Sequence, residues 1–169
     1  KPEVDSQTIE MKVEGNVINF YYTKRNDLSY VVNHYEDGTT KKIADSETIE
    51  GVTFEMVIDS KTKAKTIDGY SFKSCTPESL TIGVDLDKNV INIYYARVDG
   101  LSYTVNYVEK GNETNILHPA KVVDKQTFEA EITEKAIDIV GYVKPETDTQ
   151  TIVIGVEENV INFYYVKRK

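Results

Sequence analysis

The sequence Asn-Val-Ile-Asn-Phe-Tyr-Tyr stands at residues 16–22 and again, without change, at residues 159–165. Between these copies, residues 89–95 read Asn-Val-Ile-Asn-Ile-Tyr-Tyr, which differs at one position. The copies begin 73 and 70 residues apart, so the chain is an array of one repeated unit. An array repeats a surface, which favours adhesion or spacing over a single active site.

The repeat predicts three domains. Residues 1–23 are predicted as the C-terminal hairpin of a preceding repeat, and residues 24–96 and 97–169 as two full repeats. An isolated two-stranded hairpin is only marginally stable in water. We therefore expect residues 1–22 either to dock on the following unit or to pair with an edge strand of another chain.

Composition and charge exclude several classes of protein. The net charge of −8 argues against nucleic acid as a partner, because that binding depends on clustered Lys and Arg. No apolar stretch approaches the roughly 20 residues that span a bilayer, so membrane insertion is not expected. Cys75 is the single cysteine, which rules out an intrachain disulfide and suits a cytosolic protein or a bacterial surface protein. Residues 1–5 do not resemble a signal peptide, so targeting and anchoring segments are expected outside this sequence.

The opening segment of each unit reads as a β-strand that ends at a glycine turn. Residues 28–38 and 101–111 share seven of eleven positions and are rich in aromatic and β-branched residues. Because side chains alternate along a strand, one face is predicted to point to the core. In the second unit that face carries Leu101, Tyr103, Val105 and Tyr107.

The closing strand of each unit is the repeated string itself. Alternation places Ile91, Ile93 and Tyr95 on one face, with Asn92 and Tyr94 on the other. Segments 41–52 and 115–126, which differ between the units, are interpreted as exposed loops.

The predicted fold class is α+β and mostly β. Residues 55–67 and 129–139 have helical character, since Glu131–Ile137 combines strong helix formers with an acidic start. Each unit would then be a β-grasp, ubiquitin-like module, in which one short helix crosses a mixed sheet; an all-β sandwich is the alternative. Linkers of five residues, 23–27 and 96–100, predict an elongated rod.

Several of these segments resemble the mucin-binding protein (MucBP) repeat of Gram-positive surface proteins. They are Asn-His-Tyr-Glu-Asp-Gly at 33–38, the Gly-Tyr pairs at 69–70 and 141–142, and the closing Val-Ile-Asn-Phe-Tyr-Tyr. The resemblance implies a secreted, cell-wall-attached adhesin with β-grasp-like modules. Its expected ligands are host mucin glycans or glycoproteins, and immunoglobulin binding is associated with some relatives. The aromatic residue expected in the opening strand is Tyr107 in one unit, but its counterpart is His34.

The candidate ligand-binding residues lie on the outer face of the closing strand: Asn92, Tyr94, Asn162 and Tyr164. An amide beside an aromatic ring can bind sugar hydroxyls and the apolar face of a sugar. Tyrosine also favours strands for packing reasons alone, which is the competing interpretation.

No enzyme activity, catalytic residue, metal site or cofactor is predicted. The two histidines, His34 and His118, occupy non-equivalent positions in different units, and no His, Cys and carboxylate cluster has the spacing of a metal site. Two functions remain open. The first is an adhesin that binds through many weak contacts, and the second is a stalk that projects a distal binding domain from the cell wall.

Overall fold

The computed structural model describes residue 2 and residues 4–169; residues 1 and 3, which the predicted hairpin included, lie outside the described part. The first module contains two short 3-10 turns, Ser60–Lys63 and Leu86–Lys88, and six strands: β1 (Leu28–Glu36), β2 (Lys42–Val52), β3 (Val57–Asp59), β4 (Tyr70–Thr76), β5 (Ser79–Thr81) and β6 (Val90–Arg97). The second module contains β7 (Leu101–Glu109), β8 (Asn112–Gln126), β9 (Glu131–Lys135), β10 (Tyr142–Val143), β11 (Thr149–Val153) and β12 (Val160–Lys167).

The two modules have the same sheet topology. The four-stranded sheets have the orders β2-β1-β6-β4 and β8-β7-β12-β10. The opening and closing strands pair in parallel at the centre of each sheet, whereas the outer pairs are antiparallel. A two-stranded antiparallel sheet completes each module, β3 with β5 and β9 with β11. The predicted opening and closing strands are therefore confirmed.

Each module has its own core, built by the predicted alternation. Burial along β1 and β6 has a period of two, and Ile91, Ile93 and Tyr95 are fully buried. In the second module the corresponding side chains Ile161, Phe163 and Tyr165 are buried against β7. The β-branched and aromatic residues of the repeated string form these strands because they pack well on a pleated surface.

The predicted α+β class and the β-grasp topology were wrong. The described residues contain no α-helix, and the segments predicted as helical form β3 with a 3-10 turn in one module and β9 in the other. Along β9, Ile132 and Glu134 are half-buried and their neighbours are exposed, which is the alternation of a strand. Helix propensity is a weak preference, and pairing with β11 overrides it. The elongated rod was part of the same fold prediction and is withdrawn with it.

The segments interpreted as exposed loops are strands. Residues 42–52 form β2 and residues 112–126 form β8, each antiparallel to the opening strand of its module. Both are edge strands in which most side chains are exposed, so their sequences differ while the backbone pairing persists. Shifts in the register of both pairs accommodate these differences.

The predicted N-terminal hairpin is not formed as a pair of strands. Residues 4–27 contain no strand, and their side chains are exposed. The linker at the end of this segment contacts the first module, where Lys24 pairs with Glu55 (2.8 Å) and the carbonyl of Arg25 accepts from the amide of Phe54 (2.8 Å). The Nε2 of Gln7 nevertheless donates to the carbonyl of Asn19 (2.9 Å), as the Nε2 of Gln150 donates to the carbonyl of Asn162 (2.9 Å). Asn16 likewise exchanges two hydrogen bonds with the backbone of Lys12, as Asn159 does with that of Gly155, so the segment retains three contacts of a complete module.

An asparagine closes the turn before each closing strand. The side chain of Asn89 is 1% exposed; its Oδ1 accepts from the amide of Gly83, and its Nδ2 donates to the carbonyls of Gly83 and Ser29. Asn159 makes the same three contacts in the second module, with Gly155 and Ser102. This clasp joins the turn to the opening strand and sets the start of the closing strand.

Candidate functional site

The central strands of each sheet carry an asparagine pair on their outer face. The Nδ2 of Asn33 donates to the Oδ1 of Asn92 across the first sheet (2.9 Å). The Nδ2 of Asn106 donates to the Oδ1 of Asn162 across the second (2.8 Å). The two members of each pair are direct partners in the parallel register, so the same geometry occurs twice in the chain.

A tyrosine follows each pair on the same face of the closing strand. In the first module the ring of Tyr94 stacks on that of Tyr35, with centroids 6.1 Å apart and an interplanar angle of 28°. In the second module Tyr164 is 40% exposed and stands opposite Val108. Each tyrosine therefore presents an accessible ring beside an amide.

An open hollow adjoins each amide and tyrosine. The hollow of the first module measures about 460 Å³ and is lined by Tyr35, Thr39, Thr40, Lys42, Asn92 and Tyr94. That of the second module measures about 320 Å³, and the residues that define its chemistry are Asn106, Glu113, His118, Asn162 and Tyr164. On the other side of Tyr164 a further hollow of about 550 Å³ runs along Lys144, Pro145 and Gln150.

The amides that line the hollows retain hydrogen-bonding capacity. Within residues 4–169, the Nδ2 of Asn92 and the Nδ2 of Asn162 donate to no protein atom. Each hollow thus combines a free amide donor, a phenol and a ring face, which are the groups that bind a polyhydroxylated ligand. Both hollows are shallow and open, so contacts at one module are few.

The rims of the two hollows differ in charge. Lys42 lies at the first, where its Nζ also donates to the hydroxyl of Ser46 (2.7 Å). Glu113 occupies the rim of the second, together with Ile116, which is 69% exposed. The shared amide and tyrosine therefore sit in surroundings of opposite charge.

The structure places all four predicted site residues on the outer face of the sheets. It brings Asn92 together with Tyr94 at one hollow and Asn162 with Tyr164 at another. Sequence reasoning missed Asn33 and Asn106, whose side chains donate hydrogen bonds to the Oδ1 atoms of Asn92 and Asn162. Their identity at matching positions of the two opening segments was the available signal.

The position that differs between the opening strands is buried in both modules. His34 is inaccessible to solvent, and its Nδ1 lies 3.0 Å from the hydroxyl of Tyr95. Burial lowers the pKa of His34, with a further decrease from Lys65 and an opposing effect from Glu47. The counterpart Tyr107 is buried in the second core. The departure from the repeat pattern therefore changes the core, and in the second module Tyr107 also lines the hollow beside Asn162 and Tyr164.

Solved structures similar to this chain include a repeat of a mucus-binding protein. One is the type 2 repeat of the mucus binding protein MUB from Lactobacillus reuteri, at 12% identity and a TM-score of 0.30 over 83% of this chain and 100% of that chain. The other is Mub-RV, at 12% identity and a TM-score of 0.30 over 84% of this chain and 100% of that chain. No protein-family model and no curated protein matches the chain. These values establish neither a common fold nor a common function.

Among the described residues, no helix is long and apolar enough to cross a bilayer. The same residues contain no group of three or more His, Cys, Asp or Glu side chains placed to hold a metal ion.

Proposed function

We propose that this chain is a repeat region of a bacterial cell-surface adhesin that binds mucin-type glycans or host glycoproteins. The observation that carries the proposal is the recurrence of an asparagine pair and a tyrosine beside an open hollow at the same place in both modules. The sequence resemblance to MucBP repeats supports the same function. On this proposal the chain is extracellular and attached to the cell wall, has no enzyme activity and needs no cofactor.

The chemistry of the hollows fits a weak glycan site. The Nδ2 atoms of Asn92 and Asn162 would donate to sugar hydroxyls, and the rings of Tyr94 and Tyr164 would contact the apolar face of a sugar. Few such contacts form at one module, so the affinity per module is low. Repetition raises the overall affinity, because one engaged module holds the next at a high effective concentration.

The second candidate function is a stalk that projects a distal binding domain. Two observations favour it: the rims differ in charge, and the modules touch. Glu129 of the second module accepts a hydrogen bond from the Nζ of Lys41 in the first (2.7 Å). A spacer requires such contacts between modules, but it does not require the rims of the hollows to be alike in the two modules.

Two further partners belong to the proposal. Immunoglobulin is one, on the strength of the MucBP resemblance. Strand pairing with another chain through residues 1–22 is the other, and the exposure of Ile18 and Phe20 supports it. Their counterparts Ile161 and Phe163 are buried in a complete sheet, so the segment lacks the partner that covers this face.

Surface plasmon resonance of the chain over immobilised mucin, deglycosylated mucin and immunoglobulin tests the proposal. An adhesin for glycans gives a signal on mucin that deglycosylation abolishes. Equal signals on both mucin surfaces would assign the ligand to protein. No signal on any surface up to about 1 mM chain, the range of the weakest specific binding, would leave the stalk as the function.

A further inference from the structure

The two modules meet through an aromatic contact that a glycine makes room for. The ring of Phe128, in the turn before β9, packs edge-on against Tyr70 of the first module, with centroids 5.5 Å apart and an interplanar angle of 74°. A Cβ atom at Gly69 would lie 2.3 Å from the Phe128 ring. The Gly69-Tyr70 pair is therefore a seat for this phenylalanine, because any side chain at residue 69 would occupy its place.

A cluster of charges surrounds the same seat. The Oε2 of Glu129 accepts from the Nζ of Lys41 (2.7 Å) and lies 3.1 Å from the Nη2 of Arg97. The Nε of Arg97 also donates to the Oε1 of Glu36 (2.6 Å). These contacts lower the pKa values of Glu129, chiefly through Lys41, and of Glu36, chiefly through Arg97. The first module thus offers a cationic seat that takes a Phe-Glu pair.

The first module carries the inserting turn as well. Residues 53–55 read Thr-Phe-Glu, as residues 127–129 do. The amide of Phe54 donates to the carbonyl of Arg25 (2.8 Å), as that of Phe128 donates to the carbonyl of Val98 (2.9 Å). Glu55 and Glu129 have the same left-handed backbone, with φ of 61° in each. The turn is therefore built by each module itself and does not depend on a neighbour.

The second module carries the seat. Gly141 and Tyr142 repeat Gly69 and Tyr70, and the amide of Arg168 donates to the carbonyl of Gly141 (2.9 Å) as the amide of Val98 does to that of Gly69 (2.8 Å). Lys167 stands opposite Tyr142 in the register, where Arg97 stands opposite Tyr70. A Cβ atom at Gly141 would meet no described atom within 4 Å, so this seat is open.

We propose that Gly141, Tyr142 and Lys167 form a docking site for the Thr-Phe-Glu turn of a further module of this repeat. The phenylalanine would pack over Gly141 against the Tyr142 ring, and the glutamate would pair with the Lys167 ammonium. Asn115 donates to Glu109 (2.6 Å), the counterpart of Glu36, which Lys41 contacts in the first module. Arg168, whose Nε donates to the carbonyl of Tyr142 (3.1 Å), is a further cation at this site.

A chain extended by one module tests this directly. The extended chain consists of residues 1–167 followed by a second copy of residues 98–169. It keeps the spacing between the two existing modules, because Lys167 then precedes Val98 of the added copy as Arg97 precedes Val98 in the native chain. NMR is expected to show cross-peaks between the ring of Tyr142 and the Phe128 ring of the appended copy, as between Tyr70 and Phe128. Their absence, while the appended copy is folded, would overturn the proposal.

Two variants separate docking from folding. Gly141→Asn in the extended chain should remove the new cross-peaks and retain those of Tyr70 with Phe128, since asparagine tolerates the left-handed backbone of this glycine. In the second variant the appended copy carries Phe128→Ala and Glu129→Lys, and Gly141 is unchanged. Its Gly141 amide resonance should return to the position seen in the 169-residue chain. The proposal would be contradicted if the cross-peaks between Tyr142 and the appended Phe128 persisted in Gly141→Asn. It would also be contradicted if the Gly141 amide resonance were the same in the second variant as in the unmodified extended chain.

Discussion

His34 and Tyr95 are joined across the core of the first module, where the Nδ1 of the imidazole lies 3.0 Å from the phenol oxygen. The amide of Lys65 donates to the same phenol oxygen (2.9 Å), so Tyr95 links the imidazole to the segment after the 3-10 turn. The Nε2 of His34 has no hydrogen-bond partner among the described residues. Burial lowers the pKa of His34, so the folded module favours the neutral form of the ring.

This arrangement predicts that the first module loses stability in mild acid. The pKa of His34 is lowered below 6.5 by burial first and by Lys65 second, while Glu47 opposes the shift. The unfolded chain then binds the proton more readily than the folded one. The stability that the neutral His34 contributes to the folded module is fully present above pH about 6.5. It is lost as the pH falls from there towards the lowered pKa. Urea unfolding of the first module at pH 7.5 and 5.5 measures the loss.

The matched variant for this prediction is His34→Gln, which removes the titrating ring but keeps a polar group near Tyr95. Its unfolding free energy should change less between pH 7.5 and 5.5 than that of the wild type. The second module, with Tyr107 at the same position, is an internal control. Equal pH dependence in the variant and the wild type would remove His34 as the cause.

The joint predicts unequal effects of two glycine substitutions. Gly69→Ala and Gly141→Ala place alanine at similar backbone angles, φ of 78° and 84°, so each carries a similar strain of about 1–2 kcal/mol. Only the first meets Phe128. We expect Gly69→Ala to destabilise the chain by a further ~1–3 kcal/mol, because the crowded ring must move. Thermal unfolding of both variants measures the difference, and equal losses would exclude the contact.

The clasp before the closing strand predicts a large effect of one asparagine. Asn89→Ala removes three hydrogen bonds from a buried side chain and leaves the amide and carbonyl of Gly83 without those partners. At about 1 kcal/mol for each bond, the expected destabilisation is ~2–3 kcal/mol. The control is Asn16→Ala, in the exposed segment, where two similar bonds to Lys12 stabilise no packed module. Denaturant unfolding should show no effect of the control.

The amide pair beneath the candidate site predicts a coupling free energy. Asn33 and Asn92 are half-buried and share one hydrogen bond, so a double-mutant cycle of Asn33→Ala and Asn92→Ala should give a coupling of about 0.5–1.5 kcal/mol in unfolding. Additive losses would mean that the bond does not contribute to stability. The cycle also shows whether reduced binding in an Asn92 variant reflects a disturbed sheet.

The central strands could be predicted from sequence because their signal is local. Alternation of apolar and polar residues in the repeated string specified the buried Ile91, Ile93 and Tyr95 and the outward Asn92 and Tyr94, and all five lie where the pattern put them. Repetition strengthened this signal, since two copies share the same alternation. The outer position of the four candidate site residues followed from the same pattern.

The remainder of the fold depended on pairing that the local sequence does not record. Three of the five residues of Glu131–Lys135 are good helix formers, yet the segment is a strand because β11 pairs with it. The variable segments 42–52 and 112–126 are strands although their exposed side chains differ, because edge pairing uses the backbone. The seat at Gly69 was visible as a repeated Gly-Tyr pair, but its role emerged only with Phe128 in place.

The affinity of a Tyr94→Ala, Tyr164→Ala double variant for mucin, compared with that of the wild type, tests the central claim most directly. The control is Tyr21→Ala, which removes a tyrosine that is 78% exposed and lies outside both hollows. If the hollows hold glycans, the double variant loses at least about tenfold in affinity, corresponding to about 1.4 kcal/mol, whereas the control keeps the wild-type affinity. Wild-type affinity in the double variant, with both modules folded, would contradict the account.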